Sequence, residues 1–390
     1  MTGPIIGLST HGDHSDVELG RRSVDAPQTQ TLRNRLRPVR GGTQIKMETP
    51  EGVGWGPCTL GFSATRVRGS GAAADAFITN SHCTNEIARL DGTPIFQSEH
   101  LPDHYIGVEL DDPGTHTCLA RSLGYGCRYS DAALFEYADD VDFEVGRIGR
   151  TTWRSTNPTR SGSIIINGSD PYFEVFWTDK YPSHGETVHK VGRTTGWTSG
   201  PVTNTCTVLR WVAGRKLLCQ YAFRGHVNYG DSGSPVFKWD GETRPPGPPV
   251  RSNGGGETLT GIVWGAADSL ETGGFAITVL SPLGGVEKDL GPFDVLREDL
   301  SATISGPMIL EPGETGTWWG SASGGTSPYS YEWSGVLSGT GSSITGEIWS
   351  SGSLDLTVTD AEGTEVSTHV IVCVLQDEDD SEDDSDVCPT

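Results

Sequence analysis

The sequence predicts an all-β protein, barrel-like through its middle and ending in a small β-sandwich. Three observations predict this. Apolar residues fall in strand-length runs rich in β-branched and aromatic side chains, with no sustained helical spacing. Glycine and proline, 53 and 23 of 390 residues, punctuate those runs at short intervals. After about Leu300 the texture changes to Ser, Thr, Gly and Trp in period-two alternation.

Residues 1–40 are polar and arginine-rich toward their end (Arg33, Arg35, Arg37, Arg40), and are expected to form a flexible leader or pro-segment. Strand runs then cover 59–67, 76–79, 132–137, 163–166, 172–177, 188–191, 207–212, 217–223, 235–239, 258–264 and 275–280. That density suits an all-β domain of one or two barrels, assigned to 41–297. The proline cluster at 244–249 cannot supply ladder donors and is expected to be a surface loop. In the sandwich, assigned to 298–375, Tyr329, Tyr331 and Trp333 should share one face. Leu354, Leu356 and Val358 should share another, followed by Val370, Val372 and Val374 after a turn at 360–363. Residues 376–390 are acidic and are expected to be a solvated, disordered tail.

A net charge of -23 argues against a nucleic-acid partner, whose phosphates would be repelled. No stretch approaches the roughly 20 apolar residues of a membrane helix. The eight cysteines lack CxxC spacing and are even in number, which favours disulfides and an oxidising, extracellular compartment. Short-range pairing would join Cys58 with Cys83, Cys118 with Cys127, Cys206 with Cys219 and Cys373 with Cys388, although sequence alone leaves other connectivities open. Residues 1–10 show no basic region followed by an apolar core, so no secretory signal is read there; the cysteines outweigh this. No metal or cofactor is expected. His100 and His104 are four apart, but Pro102 between them spoils the helix that a zinc pair would prefer.

Three local motifs carry the chemistry. Tyr229-Gly230-Asp231-Ser232-Gly233-Ser234-Pro235 holds a serine in a glycine-flanked turn before an apolar run. Thr79-Asn80-Ser81-His82-Cys83 and Ser130-Asp131-Ala132-Ala133-Leu134 each sit beside a strand run. A serine hydroxyl needs a base within hydrogen-bond reach, and a neutral imidazole is suited to that. Asp131 would fix the His82 tautomer, while glycines at 230 and 233 let the Gly230 and Ser232 amides converge as an oxyanion hole. Each motif alone has a bland reading as a turn, a surface histidine or an N-cap aspartate. Their joint occurrence, in the order His82, Asp131, Ser232, points to nucleophilic hydrolysis.

With Cys58-Thr59-Leu60-Gly61-Phe62, Gly192-Arg193-Thr194-Thr195-Gly196-Trp197 and Gly261-Ile262-Val263-Trp264-Gly265, these motifs resemble the trypsin/chymotrypsin-like serine proteases, in particular the bacterial streptogrisin and α-lytic branch. The resemblance spans about two-thirds of the chain. It implies two six-stranded β-barrels with the triad between them, polypeptide substrates, and a Cys58–Cys83 bridge pinning the His82 turn. It also implies substrate pairing along Val263, Trp264 and Gly265. In the bacterial branch an internal basic residue meets the aspartate equivalent to Asp231; Arg193 is favoured here over Lys190. Residues 226–229 offer no carboxylate for a basic side chain, so a large apolar P1 residue is expected. Ser327-Pro328-Tyr329-Ser330-Tyr331-Glu332-Trp333 and Leu356-Thr357-Val358-Thr359-Asp360 resemble Ig-like and PKD-type modules; tryptophans of this sandwich would suit cell-surface or polysaccharide contact if exposed, and core packing explains them equally well. The expected protein is thus a secreted, monomeric serine endopeptidase. The alternatives are a catalytically spent binding or adhesion protein, and a self-processing protease carrying an adhesion module.

Overall fold

The computed structural model describes residues 6–7, 29–47, 56–67, 73–118, 126–239, 257–271, 273–296, 300–325, 328–361 and 363–375. The expectations for the proline cluster at 244–249, the tail at 376–390 and Cys388 lie outside these residues. The chain divides into two compact units, one running to Leu296 and one from Arg297, with 246–249 grouped with the latter. Among the described residues no helix is long and apolar enough to cross a membrane.

The protein is all-β, as its sequence predicts. Strands of the first unit are β1 (Ile6–Gly7), β2 (Val39–Gly41), β3 (Gln44–Met47), β4 (Pro57–Thr59), β5 (Phe62–Val67), β6 (Ala73–Thr79), β7 (Pro94–Gln97), β8 (Tyr105–Asp111) and β9 (Cys127–Arg128). They continue with β10 (Ala133–Tyr137), β11 (Phe143–Gly149), β12 (Tyr172–Thr178), β13 (Thr187–Gly192), β14 (Gly196–Arg210), β15 (Lys216–Val227), β16 (Pro235–Lys238), β17 (Glu257–Ser269) and β18 (Phe275–Pro282), followed by the helix α1 (Leu283–Leu290). One sheet is seven-stranded, in the order β4-β3-β7-β8-β10-β6-β5. In the other, β16-β13-β14-β15-β18-β17 closes on itself through a β16–β17 pairing, a six-stranded ring with further strands attached.

Strands β6 and β10 explain how the first sheet packs. Ala76 and Ile78 join a core with Phe62, Leu134, Phe237 and Ile262, which come from both sheets. Phe77 and Phe135 point the other way and stack with ring centroids 5.1 Å apart. Both faces are therefore buried, which is why these strands read as continuous apolar runs.

Three expectations need correction. Residues 29–40 are not a free leader: Leu32 and Val39 are fully buried and Leu36 nearly so. The Leu32 amide donates to Ile164 O at 2.9 Å and its carbonyl accepts from Gln44 at 2.7 Å. Arginines beside these anchors find acceptors, Arg40 on Glu144 and Arg33 on the Arg193 carbonyl. Residues 163–166 form only isolated bridges, from Ile165 to Thr31 and from Ile166 to Thr151. The helix α1 was hidden in sequence because Gly284 and Gly285 interrupt its apolar face of Leu283, Val286 and Leu290.

The second unit contains β19 (Ser301–Ser305), β20 (Ile309–Leu310), β21 (Glu314–Ser323), β22 (Ser330–Gly335), β23 (Gly339–Thr340), β24 (Ser343–Ile348), β25 (Gly352–Thr359) and β26 (Glu365–Val374). These build a three-stranded sheet, β19-β21-β24, and a five-stranded one, β20-β26-β25-β22-β23. Trp333 lies opposite Leu356 and Tyr331 opposite Val358, so these sets form one shared face. Trp318 and Trp333 are buried in the core of this unit, and each indole N–H is satisfied by a carbonyl, of Pro307 and Gly341.

Glu257 opens β17 almost wholly buried and accepts the Glu174 amide at 2.8 Å. Burial pushes its carboxyl up to about 8 against the pull of backbone hydrogen bonds, and the Glu174 carboxylate adds to the rise. Between 4.5 and about 8 the folded chain keeps a proton that the unfolded chain releases. The stabilisation is complete below that window and is lost as pH rises through it. Urea titrations from pH 4 to 9 should show a shallower decline for Glu257→Gln than for the natural chain.

Candidate active site

The ladder between β6 and β10 pairs Thr79 with Ala133, so continuing it brings Asp131 beside Ser81 and His82. Both segments leave their strands there. The Asn80 side chain donates to the Asp131 carbonyl at 2.6 Å, and the His82 amide donates to Asp131 Oδ1 at 3.0 Å. His82 Nδ1 then stands 2.5 Å from Asp131 Oδ2, and His82 Nε2 stands 2.8 Å from Ser232 Oγ. Asp131 and Ser232 are fully buried and His82 nearly so. A hydroxyl, an imidazole and a carboxylate in one hydrogen-bonded line can pass the hydroxyl proton to the ring while the carboxylate holds the other ring nitrogen.

The serine turn is fixed by its neighbours on two strands. Gly233 donates to Val263 O and Val263 to Ser234 O, both at 2.9 Å, while the Thr59 amide donates to Ser232 O at 2.7 Å. Gly233 has φ +90°, and a Cβ there would lie 2.0 Å from Thr59 O, so no other residue fits. Gly230, at φ +88°, would meet Thr194 Oγ1 at 2.7 Å. Ser234 uses its hydroxyl to donate to the Asp231 carbonyl at 2.6 Å.

β4 fastens both halves. Cys58 is disulfide-bonded to Cys83, next to His82, and the following Thr59 holds the serine turn through its amide and through its hydroxyl on Gly230 O. The structure also joins Cys118 to Cys127 and Cys206 to Cys219. Cys373 lies in β26, and its expected pairing with Cys388 reaches outside the described residues. Cys58, His82 and Cys83 offer ligand atoms within 4.8 Å of one another, but the sulfurs are bonded together and both ring nitrogens are engaged. That is no metal set.

The cation that meets Asp231 is Lys190, correcting the choice of Arg193. Lys190 lies in β13 fully buried, with its ammonium 3.3 Å from Asp231 Oδ2, 2.6 Å from Thr195 Oγ1 and 3.2 Å from Gly196 O. Arg193 sits at the turn beyond that strand and its Nε donates to Gln44 Oε1 at 2.7 Å. Asp231 also accepts from the amides of Thr194, Thr195 and Asn228 and from the Thr195 hydroxyl. Burial alone would raise its pKa; Lys190 and these donors overcome that and hold it below the usual carboxylate value. Burial lowers Lys190 in turn.

Of the expected substrate strand, Val263 has its amide and carbonyl committed to the serine turn. Trp264 is fully buried with Nε1 on Gln220 Oε1 at 2.8 Å, and Gly265 pairs with Gly7 of β1. Sequence reasoning missed a support beneath Asp131. Asp289 of α1 accepts from the Tyr129 and Ser130 amides and the Ser130 hydroxyl, and lies 3.5 Å from buried Arg128. Asp112 holds the other side of Arg128 and accepts the Ser81 hydroxyl. No local motif announces contacts between segments so far apart in the chain.

No family model matches the chain, and no curated protein matches it. Among solved structures it is similar to Thermobifida fusca Protease A, at 17% identity over 66% of this chain and 97% of that one, with a TM-score of 0.40. It is also similar to Nocardiopsis protease (17% identity, 66% and 98% covered, TM-score 0.41) and to Cellulomonas bogoriensis chymotrypsin (17%, 66% and 98%, TM-score 0.39).

Lys190→Met should cost about 3–5 kcal/mol in urea unfolding at pH 7, because it strands a buried charge. Arg193→Ala should cost no more than about 1.5 kcal/mol. The stability that Asp231 supplies is present above its ordinary pKa and lost as pH falls through its depressed folded value, so Lys190→Met should also weaken the acid limb of the pH–stability curve.

Proposed function

We propose that the protein is a serine endopeptidase that hydrolyses peptide bonds through an acyl-enzyme. The observation that carries this reading is the hydrogen-bonded line from Ser232 Oγ through His82 to Asp131. Ser232 Oγ attacks the carbonyl carbon while His82 Nε2 takes its proton. The amides of Gly230 and Ser232 receive the oxyanion, where one such donor is worth about 2.7–4 kcal/mol. The tetrahedral intermediate then collapses, the C–N bond breaks, and His82 returns the proton to the leaving amine. Water repeats the sequence on the ester, releasing the acid and restoring the Ser232 hydroxyl. Asp131 keeps the proton on Nδ1 throughout the resting state.

Large apolar P1 residues are the proposed preference. Burial first, then Lys190, lowers the pKa of His226, which disfavours a charge on this ring just upstream of the serine turn. Residues 226–229 bring no carboxylate that would favour a basic side chain. The disulfides among the described residues suit an extracellular location, and the protein is read as a monomer. The second unit is read as an Ig- or PKD-like module for adhesion or substrate capture, with Trp319 and Trp349 exposed for polysaccharide contact. The catalytic domain takes in 29–40 and runs to about 297.

A fluorophosphonate should label Ser232, and the protein should digest casein. Ser232→Ala should abolish both, and Asp131→Asn should lower kcat on the order of 10⁴-fold by inverting the tautomer preference. A chain that takes no label would be a binding protein instead. One that cleaves itself once and ignores casein would be self-processing.

A further inference from the structure

Gln220 of β15 is fully buried, and its amide makes all four of the hydrogen bonds open to it. Oε1 accepts from Trp264 Nε1 and from the Ser281 hydroxyl, both at 2.8 Å. Nε2 donates to the carbonyls of Tyr129 and Leu218, each also at 2.8 Å. Three of these partners lead to the site. Ser281 of β18, its proton committed to Gln220, accepts the Asp131 amide at 3.0 Å. Tyr129 belongs to the segment that carries Asp131. Trp264 follows Val263, whose amide and carbonyl hold the serine turn. Val263 pairs with Leu280 and Gly265 with Val279, so Trp264 is the extra residue of a bulge. Its bond to Gln220 fixes an indole that the ladder alone does not.

We propose that Gln220 is a positioning residue for the hydrolytic step: one buried amide sets the backbone of Asp131, through Ser281 and Tyr129, and the strand beside the serine turn, through Trp264. The proposal rests on the endopeptidase reading. Both carboxylate oxygens of Asp131 are spent on His82, so the place of the Asp131 backbone decides the place of the ring. Without the acceptor at 220, the Ser281 proton can turn toward the Asp131 amide and leave that buried N–H unpaired. A small displacement of this kind, remote from the reacting atoms, is enough to slow proton transfer from the serine.

The test compares the natural chain with Ser281→Ala, which cuts only the link to the Asp131 amide, with Gln220→Met, which cuts every link, and with Gln220→Glu. Buried between two carbonyls, a glutamate there stays protonated and keeps the acceptor for Trp264 and Ser281. In Ser281→Ala and Gln220→Met, kcat per fluorophosphonate-labelled site should fall about 10–100-fold, with the KM for a small ester nearly unchanged. The pKa of the His82 ring, titrated by NMR, should drop by about half a unit or more, because a displaced carboxylate supports the imidazolium less. Gln220→Glu should recover most of both readouts. Unchanged kcat per labelled site, or an unchanged ring pKa, in either folded variant would overturn the proposal, as would a Gln220→Glu chain no more active than Gln220→Met. Should Gln220→Met not fold, Ser281→Ala decides it. If the natural chain takes no label, the endopeptidase reading fails instead, and the His82 titration, which needs no turnover, still decides whether Gln220 and Ser281 position Asp131.

Discussion

Asp231 is a carboxylate shielded from solvent, and the strand and turns around it are arranged to satisfy it. Its partners come from the end of β13, the turn that follows and the segment before the serine itself. Such a charge is tolerable only if every donor is in place at once. The geometry of the serine turn is therefore enforced from outside the turn, by Lys190 and by Thr195, whose own hydroxyl bonds the carboxylate. Displacing β13 would leave Asp231 without its cation, and the turn holding Ser232 would lose the reason for its shape.

The histidine half is organised differently. The β6–β10 register and the disulfide at Cys83 set the position of His82. Asp131 spends one oxygen on the His82 amide and the other on the ring, so the carboxylate orients the backbone and the side chain of the same residue. Beneath it, Arg128 lies between Asp112 and Asp289 with all three side chains shielded from solvent, linking α1 to the strand that precedes β10.

The meeting of Ser232, His82 and Asp131 was legible in sequence because each is announced by its immediate neighbours: glycines around Ser232, a cysteine after His82, and a short apolar strand after Asp131. Strand runs were legible for the same reason. What escaped depends on distance. Lys190 and Arg193 are three residues apart and chemically alike, and only the hairpin between β13 and β14 decides which one turns inward. Leu32 and Val39 looked like isolated apolar residues in an arginine-rich stretch until β11 and the loop at Ile164 supplied their partners. Asp289 carried no signal at all, since its acceptor role exists only once α1 packs beside Tyr129.

β4 is three residues long, yet it touches both the His82 segment and the serine turn, by a covalent bond from Cys58 and by hydrogen bonds from Thr59. The Gly233 Cα has no room for a side chain against that same strand. The two sheets are consequently not interchangeable parts at this seam. A hybrid that took its histidine half from one relative and its serine half from another would have to inherit 57–59 in a form compatible with both donors, whatever else it tolerated.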